Sequence, residues 1–167
     1  MLPGILSILA AAVLAGVDQL IKAWATAYLL PRTAITIWPG VLEFRYFLND
    51  GMAFSMLSGK QTLLIVVTSV MLLGLCIYLL LRKMPLLERI AWAMVVGGGV
   101  GNLIDRVLNG AVVDFINPLF VNFAVFNFAD ICVTVGIGLL ILSILLEAFR
   151  DRKKPPHPKA EPEDGNV

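Results

Sequence analysis

The sequence is poor in charge, in histidine and in cysteine, and each shortage excludes a class of protein. Only 15% of the 167 residues are charged, whereas 59% are hydrophobic, and the mean hydropathy is +0.87. A soluble domain is usually about half apolar and about a quarter charged, so a water-soluble fold is excluded. The 13 basic and 12 acidic residues leave a net charge of +1. No basic field is present to attract nucleic acid, and we expect no nucleic-acid partner.

The scarcity of metal-binding side chains has a second consequence. One histidine, His157, and two cysteines, Cys76 and Cys132, are scattered over the whole chain, and a zinc site normally needs about four ligands. We therefore expect no metal ion or other cofactor. Both cysteines lie in separate apolar runs and are interpreted as reduced packing residues.

What the sequence has in abundance is long uncharged runs. Four of them can each be extended to the ~20 residues that span a bilayer as a helix. The predicted spans are residues 4–27, 61–81, 88–107 and 128–149. The predicted fold class is therefore an all-α membrane protein, with four transmembrane helices in one domain over residues 1–150. The first run has no basic residue before Lys22, so we predict that it is retained as a helix and is not cleaved as a signal peptide.

Basic residues predict the orientation, because Lys and Arg near span ends resist translocation. Most of them lie in the connection 82–89 and in the tail after residue 149. Both termini are therefore expected in the cytoplasm, and the loops 28–60 and 107–127 outside. The tail, 151–167, combines proline with charge and is expected to be disordered.

The first outer loop has the periodicity of a strand. Leu42, Phe44, Tyr46 and Leu48 alternate with other residues, and Asn49-Asp50-Gly51 is typical of a turn. We predict a small extracytoplasmic β-sheet from a strand pair within residues 33–59.

Ionisable and amide side chains near the outer helix ends are the candidate functional residues, because such groups are costly at membrane depth. Their spacing places members of each group on one helix face. The groups are Asp18 with Lys22, then Asn102 with Asp105 and Arg106, then Asp114, then Asn127 with Asp130.

Most of these residues also have a purely structural interpretation. Asp18 and Lys22 could be an interfacial ion pair, and Asp105 and Arg106 could mark the end of a span. Asn127 could cap the last helix, whose N-terminus would also favour a carboxylate such as Asp130. Asp114 has no such explanation, since it lies between Val113 and Phe115.

A glycine cluster, Gly97 to Gly101, precedes the third group. No strand comes before it and no Lys-Ser/Thr follows it, so a nucleotide-binding loop is not predicted. Its spacing is typical of close helix packing in membranes.

Asp114 and Asp130 together suggest an aspartic hydrolase. Two neighbouring carboxyls cannot both ionise easily, so one keeps a proton while the other activates water. A small ion-coupled or proton-coupled transporter is the alternative, since membrane carboxylates also relay protons. The inner halves of the last three spans carry almost no polar residues, which disfavours a continuous pathway. A serine hydrolase lacks a suitable base, because His157 lies in the tail.

Five motifs give the chain a resemblance to bacterial lipoprotein signal peptidase, the type II signal peptidase, over residues 1–150. In chain order they are Asp18-Gln19 with Lys22, Asn49-x-Gly51-x-Ala53-Phe54, Gly97-Gly98-x-x-Gly101-Asn102-x-x-Asp105-Arg106, Val112-x-Asp114-Phe115, and Phe126-Asn127-x-Ala129-Asp130.

The resemblance implies an aspartic endopeptidase that removes the signal peptide of a diacylglyceryl-modified prolipoprotein, cutting just before the lipidated cysteine. It implies that Asp114 and Asp130 are catalytic. It implies that nine further residues bind the substrate or support the cleft: Asp18, Lys22, Asn49, Gly51, Gly98, Asn102, Asp105, Arg106 and Asn127.

The resemblance also implies the surroundings of the protein. The expected location is the bacterial inner membrane, with the active site at its outer face and the outer loops forming a substrate cradle and a lid. The expected partners are the prolipoprotein, membrane lipid and the cyclic peptide inhibitor globomycin.

Overall fold

The computed structural model describes residues 2–51 and 59–152, without the side chains of the last two. The Ala53-Phe54 part of the second motif and the tail from residue 153 lie outside the described residues. The helices are α1 (Leu2–Leu29), α2 (Gln61–Leu81), α3 (Leu86–Asn109) and α4 (Phe128–Arg152), and the strands are β1 (Ile35–Trp38), β2 (Leu42–Asn49) and β3 (Val112–Pro118).

Three helices are long and apolar enough to cross a membrane. They are α1, α2 and the part of α4 from Phe128 to Arg150. The third helix, α3, is not among them, because its glycine cluster and its charged ends lower its hydropathy. The protein is thus a mostly helical, multi-pass membrane protein.

The central helix of the bundle is α3, which packs against α1, α2 and α4. Its buried face consists mainly of small residues, among them Ala91, Gly97 and Gly101. A Cβ added at Gly101 would lie 2.5 Å from Asp18 Oδ2. The absence of a side chain therefore permits the close approach of α3 and α1, as the glycine spacing predicts.

The ends of the helices define two ends of the bundle. The start of α1 lies beside the end of α2, where Gly4 contacts the backbone of Leu79 and Leu80. In the same half of the bundle, Ser143 of α4 donates a hydrogen bond to Glu88 near the start of α3 over 3.2 Å. The sheet lies at the opposite end, on the last turns of α1.

The sheet has three antiparallel strands in the order β1-β2-β3. The sequence predicts a strand pair only within residues 33–59, so β3, which lies in the second outer loop, is an addition. Its first residues, Val112 to Phe115, are buried. Val113 and Phe115 pack against Ala25 and Leu29 of α1, which anchors the sheet on the bundle.

The pairing of β2 with β3 positions the candidate site. Phe47 lies opposite Asp114, and Asn49 lies opposite Val112. The Asp114 carboxyl therefore comes from a strand whose partner is far away in sequence, which explains why periodicity within the loop does not reveal it.

Candidate active site

Asp114 is a buried carboxyl that accepts two amide hydrogen bonds. Its side chain lies within β3 and the residue is 1% exposed. Oδ1 accepts a hydrogen bond from Asn127 Nδ2 over 2.6 Å, and Oδ2 accepts one from Asn49 Nδ2 over 2.9 Å. Burial raises the pKa of Asp114 from its ordinary value of 3.8 to about 6, and the nearby charge of Asp130 adds to this shift. The two amide hydrogen bonds oppose the shift but do not cancel it.

Asp130 lies in the first turn of α4 and is held by an amide and by the backbone. Oδ1 accepts a hydrogen bond from Asn102 Nδ2 over 2.8 Å. Oδ2 accepts one from the backbone N–H of Asn127 over 3.1 Å, while Asn127 Oδ1 accepts one from the backbone N–H of Asp130 over 3.0 Å. This reciprocal arrangement is a capping box, so the interpretation of Asn127 as the helix cap is confirmed.

Asn127 also connects the two carboxyls. Its Nδ2 donates both to Asp114 and, over 3.1 Å, to Asn102 Oδ1. Because Asn102 in turn donates to Asp130, one chain of amides runs from one aspartate to the other. Capping a helix and connecting the carboxyls are thus done by different atoms of the same side chain.

Both aspartates line one cavity of about 440 Å³. Its polar end also contains Asn49, Asn102 and Arg106, whereas the rest of its wall is largely apolar. The apolar lining comes from the first turns of α4 and from the segment before that helix, and includes Phe123, Val125, Phe126, Ile131, Val133 and Val135. The cavity can therefore hold a partly apolar, extended ligand against the two carboxyls.

Asp18, Lys22 and Asp105 form an ion cluster beneath this cavity. Lys22 Nζ lies 2.8 Å from Asp18 Oδ2 and 3.0 Å from Asp105 Oδ2. The predicted pairing of Asp18 with Lys22 is confirmed. The alternative of an interfacial pair is wrong, because all three residues are at most 3% exposed and contact α3 and α4 as well as α1.

Arg106 and Gly51 meet at the rim of the cavity. Arg106 Nη2 donates to the backbone oxygen of Gly51 over 2.9 Å, whereas its buried Nε has no partner within the described part of the chain. The backbone N–H of Gly51 donates to Asn49 Oδ1 over 3.0 Å. The predicted turn at Asn49 thus orients this side chain so that its Nδ2 faces Asp114.

Gly98 lies outside the cavity lining. It is buried in α3, and a Cβ at this position would overlap the backbone oxygen of Ala129 in α4. Its place is therefore in the packing that brings Asp130 close to α3, and not in contact with a ligand.

Gln19 was not among the predicted site residues, although it lies within the first motif. Its Nε2 donates to Asp105 Oδ1 and to the backbone oxygen of Gly101, each over 3.0 Å. An amide beside a carboxyl in an otherwise apolar helix is the signal that could have singled it out. The apolar wall was also missed, because nothing distinguishes its residues from those that face lipid.

The arrangement of the two carboxyls fits hydrolysis. Two acids that line one cavity can divide the roles of proton donor and base, and the cavity leaves room for a water molecule and a peptide beside them.

The comparisons with known proteins agree on one family. The family described as signal peptidase (SPase) II matches residues 10–146. A lipoprotein signal peptidase of Gloeobacter violaceus is 35% identical over 143 residues, which are 85% of this chain and 83% of that protein. A lipoprotein signal peptidase of Caldicellulosiruptor bescii is 38% identical over 141 residues, or 83% of this chain and 91% of that protein.

A solved structure has the same fold. A bacterial membrane enzyme superimposes with a TM-score of 0.79 at 31% identity, covering 89% of this chain and 93% of the other. The matched family and the named relatives are peptidases, so the transporter alternative is not supported.

Proposed function

Because the chain belongs to the signal peptidase II family, we propose that it cleaves the signal peptide from diacylglyceryl-modified prolipoproteins, immediately before the lipidated cysteine. Peptide hydrolysis follows from the family, and the relatives carry the name lipoprotein signal peptidase. The observation that carries the proposal is the convergence of Asp114 and Asp130 on one cavity, linked through Asn127.

The proposed mechanism is that of an aspartic peptidase. We assign the shared proton to Asp114, whose pKa burial raises from 3.8 to about 6. Asp130 is the proposed base: it lies in the first turn of α4 and accepts hydrogen bonds from Asn102 Nδ2 and from the backbone N–H of Asn127. Asp130 takes a proton from water as the water attacks the peptide carbonyl, while protonated Asp114 donates a hydrogen bond to the carbonyl oxygen. Asp130 then passes the proton that it took from water to the leaving nitrogen as the C–N bond breaks, which regenerates both carboxyls and completes hydrolysis.

The shape of the cavity is consistent with such a substrate. An extended peptide can lie against the polar end of the cavity, and an apolar signal segment can contact the wall formed by Ile131, Val133 and Val135. Seven of the nine further residues predicted from the resemblance have two roles in this proposal. Asn49, Asn102, Arg106 and Asn127 hold the carboxyls and the rim, whereas Asp18, Lys22 and Asp105 hold the elements beneath.

We further propose that α3 is the fourth transmembrane helix. It is antiparallel to α2 across a short connection and is surrounded by α1, α2 and α4, so it must cross the same layer as they do. With the basic connection and tail in the cytoplasm, the sheet and the cavity lie at the outer face of the bacterial inner membrane. Water, which hydrolysis requires, is available at that surface.

The decisive experiment is cleavage of a lipidated precursor by the purified, full-length protein. Asp114→Asn and Asp130→Asn should each lower kcat by at least about a thousandfold, because either change removes one acid or base from the pair. Glu43→Gln is the matched control: Glu43 is a sheet carboxyl that accepts a hydrogen bond from Asn117 over 2.7 Å, outside the cavity.

The control variant should keep wild-type kcat. A folded Asp114 or Asp130 variant with near-normal kcat would contradict the dyad, and an inactive wild type would contradict the proposed substrate. Adding globomycin to the same assay tests the proposal that this cyclic peptide competes for the cavity.

A further inference from the structure

The ion cluster of Asp18, Lys22 and Asp105 is the most buried charged group among the described residues, yet none of its members lines the cavity. Three charges at this depth are costly unless each is paired and hydrogen-bonded, and such clusters seldom add net stability. A better explanation is that the cluster holds neighbouring chain segments in fixed positions, and its contacts indicate which segments these are.

Each carboxylate of the cluster holds the residue that directly precedes a catalytic aspartate. Asp18 Oδ1 accepts the backbone N–H of Ala129 over 2.9 Å, and Asp105 Oδ2 accepts the backbone N–H of Val113 over 3.0 Å. Ala129 precedes Asp130 on α4, and Val113 precedes Asp114 on β3. These two chain segments, which the hydrogen bond from Asn127 to Asp114 and the backbone pairing of Ile116 with Phe126 already join, are thereby also tied to one cluster.

Lys22 connects these two attachments and reaches a third. Besides its two ion pairs, Nζ donates to Asn102 Oδ1 over 2.8 Å. An ammonium group has three donors and no acceptor, so these three contacts saturate it. Because Lys22 can only donate, it fixes the oxygen of the Asn102 amide on its own side, which leaves Nδ2 to face Asp130.

We propose that the ion cluster is a positioning device that sets the distance between Asp114 and Asp130 and the orientation of Asn102. This inference rests on the proposed function, since it assigns the two aspartates to one reaction. Lys22 is a positioning residue: it acts through Ala129, Val113 and Asn102 and touches no substrate.

The primary test is Lys22→Met in the full-length protein. A displacement of about 1 Å in a reacting group costs about a hundredfold in rate, so we expect kcat to fall about a hundredfold while KM changes less than about threefold. The substrate-binding wall is untouched by the substitution, which is why binding should persist.

A titration of the Asp114 carboxyl provides a readout that does not depend on the substrate. Asp114 is faced by the charges of Asp130 and Lys22 and by the amides of Asn49 and Asn127, and the positive charge of Lys22 lowers its pKa. The titration can be followed by the infrared carboxyl band of Asp114, which is identified by the difference spectrum against Asp114→Asn. In Lys22→Met, the midpoint of this titration should therefore lie above about 6.

Asp18→Asn is the second variant, because Lys22→Met could fail to fold. The remaining oxygen of the substituted side chain can still accept the Ala129 N–H, while the oxygen that pairs with Lys22 Nζ is replaced by an NH₂ group, so the ion pair is removed and the attachment to α4 is kept. We expect a lower kcat with KM retained. Ser143→Ala is the matched control, since it breaks the hydrogen bond to Glu88 between α3 and α4 at the far end of the bundle. It should lower the Tm and leave kcat and the Asp114 midpoint unchanged.

The outcomes separate this inference from the proposed function. If wild-type protein fails to cleave the lipidated precursor but the Asp114 midpoint rises in Lys22→Met, the substrate is wrong and the positioning role stands. If the folded Lys22 or Asp18 variant keeps wild-type kcat, or if the Lys22→Met midpoint does not move, the positioning role is overturned.

Discussion

At the scale of single residues, the two aspartates differ in environment although they share a cavity. Asp114 lies within a buried strand, whereas Asp130 is half-buried in the first turn of a helix. Burial favours the protonated form of Asp114, whereas Asp130 accepts a hydrogen bond from the backbone N–H of Asn127 at the start of α4. Different local surroundings thus support the different roles that we propose for two chemically identical side chains.

The raised pKa of Asp114 predicts a pH dependence of stability. Between the ordinary value of 3.8 and the folded value of about 6, the unfolded chain has released its proton while the folded protein still holds it. The stability contribution is therefore complete below about pH 4 and is lost as the pH rises to about 6. In detergent, the Tm of the wild type should fall across this interval by more than that of Asp114→Asn.

Glu43→Gln is the control for this prediction as well, because Glu43 lies on the sheet away from the cavity and should leave the wild-type pH dependence intact. Identical Tm profiles for the wild type and Asp114→Asn would mean that Asp114 is not the group whose proton is retained.

Single residues are also where the sequence is most informative. Charges inside apolar runs stand out, so Asp18, Lys22, Asp105 and Asp130 could be selected without a structure. The backbone groups that Asp18 and Asp105 hold could not be selected in this way. The N–H groups of Val113 and Ala129 belong to the backbone, and every residue type except proline provides one, so no pattern of side chains marks them.

At the scale of elements, the close packing of α3 against α1 depends on the absence of side chains at their contact. Gly101→Ala should place a methyl group against Asp18, the carboxylate that holds Ala129, with the added Cβ 2.5 Å from Oδ2. We expect a loss of at least about 2 kcal/mol of stability, typical of overpacking, together with a strongly reduced kcat.

Gly138→Ala is the matched control for this prediction, because it lies in a membrane helix but has nothing within 4 Å of its added Cβ. It should change the Tm little or raise it, since alanine is favoured over glycine in a helix by about 0.5–1 kcal/mol. Equal effects of the two substitutions on thermal unfolding and on kcat would contradict close packing at Gly101.

Elements differ in how well the sequence predicts them. The helices follow from uncharged runs, which are local, and β2 follows from alternation within Leu42 to Leu48. The third strand is different: Val112–Pro118 is apolar on both faces at its start and pairs with a strand that two helices separate from it. Only the folded arrangement of the bundle brings the two strands together, and this is a non-local event.

At the scale of the whole molecule, the proposed topology can be tested with introduced cysteines. In a background of Cys76→Ala and Cys132→Ala, Trp38→Cys lies on exposed β1 at the sheet end, and Lys83→Cys lies in the exposed connection between α2 and α3. A membrane-impermeant maleimide should label position 38 in intact spheroplasts and position 83 only after lysis. The opposite labelling pattern would reverse the orientation.

The order of the strands in the sheet has a consequence for how the enzyme is made. Asn49 and Asp114 are 65 residues apart, and both α2 and α3 lie between them. During synthesis, the first half of the chain therefore enters the membrane with an unpaired edge on β2 and without either aspartate of the proposed dyad. On this proposal, the site is complete only after the last helix, which carries Asp130, has been synthesised.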